Sequence, residues 1–375
     1  MSFDMMNGRL GVIYQGMWND ASRLAGIKTE PILNIKNGNV PSKEELDKLL
    51  KKASWKIEGE KGTEREAIEK AYGITDIEAF RPQYKDAVEG TGKEDEKILT
   101  LHSSSRLSLL CFYKLYKETG KERKEKLVMN LDGEEVEFDC TVFEFQNPVI
   151  GYPSNMDVTL FNKEKKIILF LESKFSEYYI GAAKKSSPIG ISYKNNEFSK
   201  CFYCKYWLKD IGLNIDHHVQ EDEETKAKKE SMVLSTIDGS EVYLDGFKQM
   251  ISHYIGIRRR LRNNETDVLK GDEKLGENAK EILNILRNET STVYLGEILY
   301  DKFMIPDGDK RLGPEKIRKD YSKLYKRLAE RMNELIAEDQ LSHRFKVLTN
   351  DLKYSEVMKD CSFLDDVTKT FYGLG

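Results

Sequence analysis

Asp157, Glu172 and Lys174 are the residues whose types and spacing could do chemistry. Glu172 and Lys174 stand two residues apart, directly after the apolar run Ile167, Ile168, Leu169, Phe170 and Leu171. In an extended chain the side chains alternate, so both charges point to the same side. A carboxylate and an ammonium at the end of an apolar strand are costly to bury unless they pair or bind something. Asp157 brings a second carboxylate within reach if its segment folds back on this strand. Two carboxylates so placed repel unless a cation lies between them. Oxygen donors of this kind favour Mg²⁺ over Zn²⁺.

The positioning elements follow from the local pattern. Residues 156–161 and 166–175 read as strands, with the polar stretch 162–165 turning the chain between them. The unbroken apolar run predicts a second strand covered on both faces. A tight turn pairs Asp157 with Phe170, and a slightly longer one pairs it with Glu172. Either register puts Asp157, Glu172 and Lys174 on one face, within diagonal reach. The alternative is a surface hairpin carrying an ordinary Glu–Lys pair.

This arrangement resembles the PD-(D/E)XK nuclease superfamily, the restriction-endonuclease-like proteins. The string Glu172-Ser173-Lys174-Phe175-Ser176-Glu177 is similar to a bacterial branch that carries E-S-K-F-x-E. The proline that often precedes the aspartate is absent, and Pro153 lies four residues upstream. The resemblance implies an α/β fold, with a central mixed sheet flanked by helices, and Mg²⁺-dependent hydrolysis of DNA phosphodiester bonds in restriction, phage defence or repair. Mn²⁺ would substitute. Asp157, Glu172 and the backbone carbonyl of Ser173 would hold the metal, while Lys174 would orient or deprotonate water. Lys174 is expected to serve chemistry rather than the fold, so that Lys174→Met changes stability little; failure to fold would instead mark a buried Glu172–Lys174 ion pair. DNA is the expected partner, RNA the alternative, with a homodimer as an allowed assembly. The rival reading is a nucleic-acid-binding protein that keeps the fold without catalysis.

The rest of the chain supplies supporting candidates. Residues 1–95 read as a mainly helical N-terminal region, with helices near 43–53 and 64–73 behind capping boxes and a linker at 90–96. Residues 96–375 form the nuclease-like domain, with an insertion at about 178–240. A serine-capped helix within 97–118 buries Leu107, Leu110, Cys111 and Leu115, and His102 or Ser103 either joins the site or only caps. Asp132-Gly133 marks a hairpin turn. Glu144, between Phe143 and Phe145, is either a third metal carboxylate or a solvent-facing strand residue. Cys201, Cys204, His217 and His218 lack the second spaced pair a zinc site needs. Residues 243–263 form the helix after the catalytic strand. RecB-like members carry a glutamine and a tyrosine there, which Gln249 and Tyr254 resemble with one residue too many between them. Arg258, Arg259 and Arg260, with Lys319, Lys323 and Lys326 on a later helix at 314–337, are candidate phosphate contacts; the plainer account is helix C-terminal charge for the arginines and an ordinary amphipathic edge for the lysines.

Composition bounds these readings. The 375 residues are 33% charged and 39% apolar, normal for a globular protein with one large core or two moderate ones. No apolar run is long enough for a membrane span, and the N-terminus lacks the pattern of a secretory signal. Five cysteines fit reduced thiols in a cytoplasm. A net charge of −4 argues against a protein that coats DNA, but not against a nuclease, where only the cleft must be positive.

Overall fold

The computed structural model describes residues 103–115, 125–149, 153–175, 185–189, 208–221, 228–262, 275–302 and 314–374, together with Asp76, Ala79 and Gln83. The expected helices near 43–53 and 64–73, the linker and the domain boundary lie outside the described residues. So do His102, Cys201 and Cys204.

In chain order the elements are α1 (Ser104–Phe112), β1 (Leu127–Leu131), β2 (Glu134–Phe138), β3 (Cys140–Asn147), β4 (Ser154–Asn162), β5 (Ile167–Lys174), β6 (Ser186–Ile189), β7 (Leu213–Glu221), β8 (Lys228–Thr236) and α2 (Leu244–Arg262). Then come α3 (Glu277–Arg287), β9 (Thr292–Leu299), α4 (Pro314–Glu338), β10 (Phe345–Val347), β11 (Leu352–Lys353), α5 (Tyr354–Val357) and α6 (Asp366–Tyr372). The main sheet is mixed, in the order β10-β9-β5-β4-β3, with β11 also on β9. β3, β4 and β5 form an antiparallel meander, whereas β9 runs parallel to β5. A parallel neighbour requires a crossover, and α2 and α3 lie within it.

Each turn follows from its chemistry. Asp132 and Gly133 close the β1–β2 hairpin at φ 50° and 96°, the left-handed pair that a two-residue turn needs. Residues 163–166 close β4 onto β5, and the Asn162 side chain accepts from the Lys165 N–H at 3.0 Å. This is the longer turn. It pairs Val158 with Leu171 and so sets Asp157 opposite Glu172. The extended chain is interrupted at Asp139, so that β2 pairs with β1 while β3 enters the main sheet. The 178–240 insertion contributes a three-stranded sheet, β6-β8-β7.

Both faces of the main sheet are covered. α1, the β1–β2 hairpin and the C-terminal segments pack on one; α2, α3, α4 and the insertion sheet pack on the other. β5 is therefore buried on both sides from Ile168 to Lys174, as is the following Phe175. Each fully buried Ile, Leu or Phe contributes about 1.5–3 kcal/mol, and a one-residue slip would misplace all of them.

The pleat of the meander reverses beside the candidate site. Phe143 and Val158 belong to one core, yet Phe145 and Met156, two residues along each strand, belong to the other. Strict alternation forbids this. Glu144 adopts φ 54°, and it falls opposite Asp157 between the Phe143–Val158 and Phe145–Met156 pairs. α2 also approaches closely: a Cβ on Gly256 would meet the Asn147 Cβ at 2.8 Å. Gly256→Ala is expected to cost about 1–3 kcal/mol through overpacking. Urea unfolding that matches the wild type would show that the helix shifts without strain.

Candidate functional site

β5 delivers Glu172 and Lys174 to the α2 face of the sheet, at the end where β4 separates from it. The β4–β5 ladder runs only as far as Val158 and Leu171. Beyond it the Ser173 N–H donates to Asp157 Oδ2 at 2.8 Å. That N–H lies in the plane of the sheet. Asp157 therefore serves the splayed edge between the strands and does not stand squarely on the Glu172 face as strict alternation predicts. The reversed pleat is the physical reason. A strand residue directs its N–H and C=O to the same side, so the Ser173 carbonyl faces this same gap. The next carbonyl, of Lys174, faces β9 and accepts from the Tyr300 N–H at 2.8 Å. The Ser173 side chain points to the opposite face, where its Oγ meets the Tyr354 hydroxyl at 2.8 Å and donates to the Ser104 carbonyl at 3.3 Å.

Glu172 and Lys174 are 1% and 3% exposed. Lys174 Nζ donates to Glu172 Oε1 at 2.5 Å and to Gln249 Oε1 at 2.8 Å, and it lies 5.7 Å from the centre of the Tyr243 ring. The glutamine expected from the helix after β5 is therefore in place. The tyrosine is not: Tyr254 stacks on Phe345 at 6.0 Å. The residue one helical turn from Gln249 is His253, whose Nε2 lies 2.7 Å from Glu172 Oε2. Its Nδ1 bonds the Ser154 hydroxyl on β4. Positions four apart share a helix face, and that spacing was the available sequence signal for His253.

A further carboxylate had no local signal. Glu297 on β9 is paired in register with Glu172 and is fully buried. The Tyr321 hydroxyl of α4 lies 2.8 Å from each of its oxygens. Burial pushes the Glu297 carboxyl up to about 8, against the pull of Lys174. Glu172 goes the other way. Burial would raise it, but Lys174 and His253 outweigh burial and hold it well below the usual carboxylate range. Two neighbouring glutamates thus carry opposite shifts, and Glu172 is the ionised member.

The burial of both partners argues against the expectation that Lys174 can be replaced at little cost to the fold. Breaking such a pair leaves an uncompensated charge.

The remaining candidates sit elsewhere. Ser103 caps α1, its hydroxyl accepting from the Arg106 N–H at 3.3 Å. Arg258 forms a two-pronged pair with Asp339, just beyond α4. Arg259 donates to the Val149 carbonyl at 3.2 Å, and Arg260 donates to Asn147 Oδ1 and the Gln146 carbonyl. These three arginines anchor α2 to neighbouring elements. Lys319, Lys323 and Lys326 are exposed on α4. His217 and His218 occupy successive positions of β7, with His217 beside Glu230 at 3.2 Å.

Among the described residues no three His, Cys, Asp or Glu side chains gather closely enough to hold a metal, so Glu144 is not drawn into such a group. The candidate donors are the Asp157 carboxylate and the Ser173 carbonyl at the gap and the Glu172 carboxylate on the α2 face. All are hard oxygens, which fit Mg²⁺ or Mn²⁺. Each Glu172 oxygen has one nitrogen partner, Lys174 Nζ on Oε1 and His253 Nε2 on Oε2, so each retains a lone pair for a cation.

Comparison with protein-family models, curated proteins and solved structures returns no match. Among the described residues, no helix is long and apolar enough to cross a membrane.

Proposed function

We propose that the chain is a Mg²⁺-dependent nuclease of the PD-(D/E)XK type, hydrolysing phosphodiester bonds in DNA. The observation that carries this reading is the environment of β5. Glu172 and Lys174 occupy one strand face, the Asp157 carboxylate lies on the Ser173 amide between them, and Gln249 of the following helix holds the Lys174 ammonium. The order of elements adds support: a helix, three antiparallel strands, a crossover helix and a fourth strand parallel to the third.

Asp157, Glu172 and the Ser173 carbonyl would hold the metal. When bound it would acidify a water ligand and offset charge on the phosphoryl oxygens. Lys174 supplies a positive charge beside that water and takes or gives a proton at Nζ. Gln249 and the Tyr243 ring keep its ammonium on the α2 side of the strand. The exposed Lys319, Lys323 and Lys326 offer positive charge for a backbone.

The test pairs cleavage with metal binding. Supercoiled, linear and single-stranded DNA, and RNA as the alternative substrate, would be incubated with Mg²⁺ or Mn²⁺ and with EDTA. Cleavage should require the metal, and Asp157→Ala should abolish both cleavage and the calorimetric signal for Mn²⁺. Equal Mn²⁺ binding by the wild type and Asp157→Ala would sink the proposed site. Metal binding without cleavage of any substrate would favour the non-catalytic nucleic-acid-binding alternative.

A further inference from the structure

We propose that His253, set by Ser154, is the positioning residue that fixes the Glu172 carboxylate for a divalent cation. This rests on the metal reading of Asp157 and Glu172 and deepens it.

The bonding pattern dictates which ring nitrogen carries the proton. An ionised carboxylate only accepts hydrogen bonds. Paired with the Lys174 ammonium at Oε1, Glu172 faces His253 as a carboxylate, and the 2.7 Å contact at Oε2 then takes its proton from His253 Nε2. Nδ1 then meets the Ser154 hydroxyl, which can donate to it or accept from it. Ser154 thus turns the ring without competing for Glu172. The imidazole is 3% exposed and Ser154 is 6% exposed, so water does not replace either bond.

The consequence for Glu172 is geometric. With Lys174 alone, the carboxylate could swing about its Oε1 contact. His253 on Oε2 gives the group a second fixed point. The remaining lone pairs of both oxygens then have one orientation. Ser154 also lies three residues before Asp157 on β4. One strand therefore supplies the first candidate ligand and the anchor for the residue that orients the second. Partners of this outer kind typically alter metal affinity about 10–100-fold when removed.

The experiment uses the full chain and Mn²⁺ alone as the probe. Calorimetry should show His253→Leu binding Mn²⁺ about 10–100-fold more weakly than the wild type. His253→Gln, which keeps a side-chain N–H for Glu172, should recover most of the affinity. Ser154→Ala should lose less than His253→Leu, in the same direction. A residue that merely fills space would not be rescued by glutamine in preference to leucine. Equal affinity of wild type and His253→Leu, with Asp157→Ala still defective, overturns the role of His253 and leaves the metal site standing. Binding that Asp157→Ala does not change overturns the metal reading itself, and this proposal with it. Nitrogen NMR of the metal-free imidazole supplies an arm that needs neither metal nor fold-sensitive variants. A proton on Nε2 supports the assignment; an Nε2 without one overturns it, whatever the chain binds.

Discussion

Lys174→Met is expected to lower single-turnover cleavage by about 10²-fold or more, the loss typical of a general acid–base or electrostatic group. The same change should cost about 3–5 kcal/mol of stability, because Glu172 stays buried with its closest cation gone. His253 still donates to Glu172 and keeps the cost from rising further. The two effects can be separated. Glu172→Gln combined with Lys174→Met removes both charges, so no uncompensated ion remains and most of the stability should return. Cleavage should not return, since the proposed metal ligand and the ammonium are both missing. Urea unfolding of the four proteins in the cycle, with single-turnover rates, reads both quantities. A Lys174→Met variant that cuts at the wild-type rate removes Lys174 from the mechanism. A double variant no more stable than Lys174→Met would mean that the lysine acts through packing and its contacts with Gln249 and Tyr243.

The parts of this site that sequence made legible are those with a local signature. The apolar run before Glu172 specifies a strand buried on both faces, and the following charges specify which end is unusual. Asn162 to Lys165 marks a turn, but its length was ambiguous. Lys166 completes it at φ 54°, a conformation that a lysine does not advertise. Asp157 was legible as a partner of β5. Its shift into the sheet edge was not, because it depends on Glu144 taking a left-handed backbone in the neighbouring strand. The pattern marks Gln249 and Tyr254, but of the adjacent His253 and Tyr254 only His253 shares a helical face with Gln249. Glu297 had no local signal beyond one charge in an apolar strand. Its meaning comes from parallel pairing with a residue far away in sequence. The arginines of α2 show the converse. Their clustering looked like a phosphate contact, yet Asp339, Asn147 and the carbonyls of Gln146 and Val149 are close enough to engage them.

Glu297→Gln should make the chain more stable at alkaline pH, and the sign follows from where the proton resides. In the unfolded chain Glu297 titrates near its ordinary 4.5, whereas burial raises it to about 8 in the fold. Below pH 4.5 both states hold the proton and the group contributes no slope. Between about 4.5 and 8 the folded state keeps a proton that the unfolded state has released, so stability falls as pH rises. Each pKa unit is worth about 1.4 kcal/mol, which puts roughly 3–5 kcal/mol at stake across the window. Glu172 has the opposite sign. Despite burial, Lys174 and His253 lower it to about 2, so its stabilisation is present above pH 4.5 and is lost as pH falls toward 2. Together these two glutamates favour a stability maximum near pH 4.5–5. Tyr321 offers one hydroxyl proton to two oxygens at equal distance. A protonated Glu297 completes that arrangement by donating from one oxygen while the other accepts. Glutamine reproduces it with an amide N–H and a carbonyl, and it cannot ionise. Urea unfolding in EDTA at pH 5, 7 and 9 should therefore show similar stabilities at pH 5 and a gap that widens with pH in favour of the variant. Parallel curves for the two proteins would mean that Glu297 is ionised in the fold, held by Lys174 across the strand pair, and the Lys174 charge would then be shared between two carboxylates rather than directed at one.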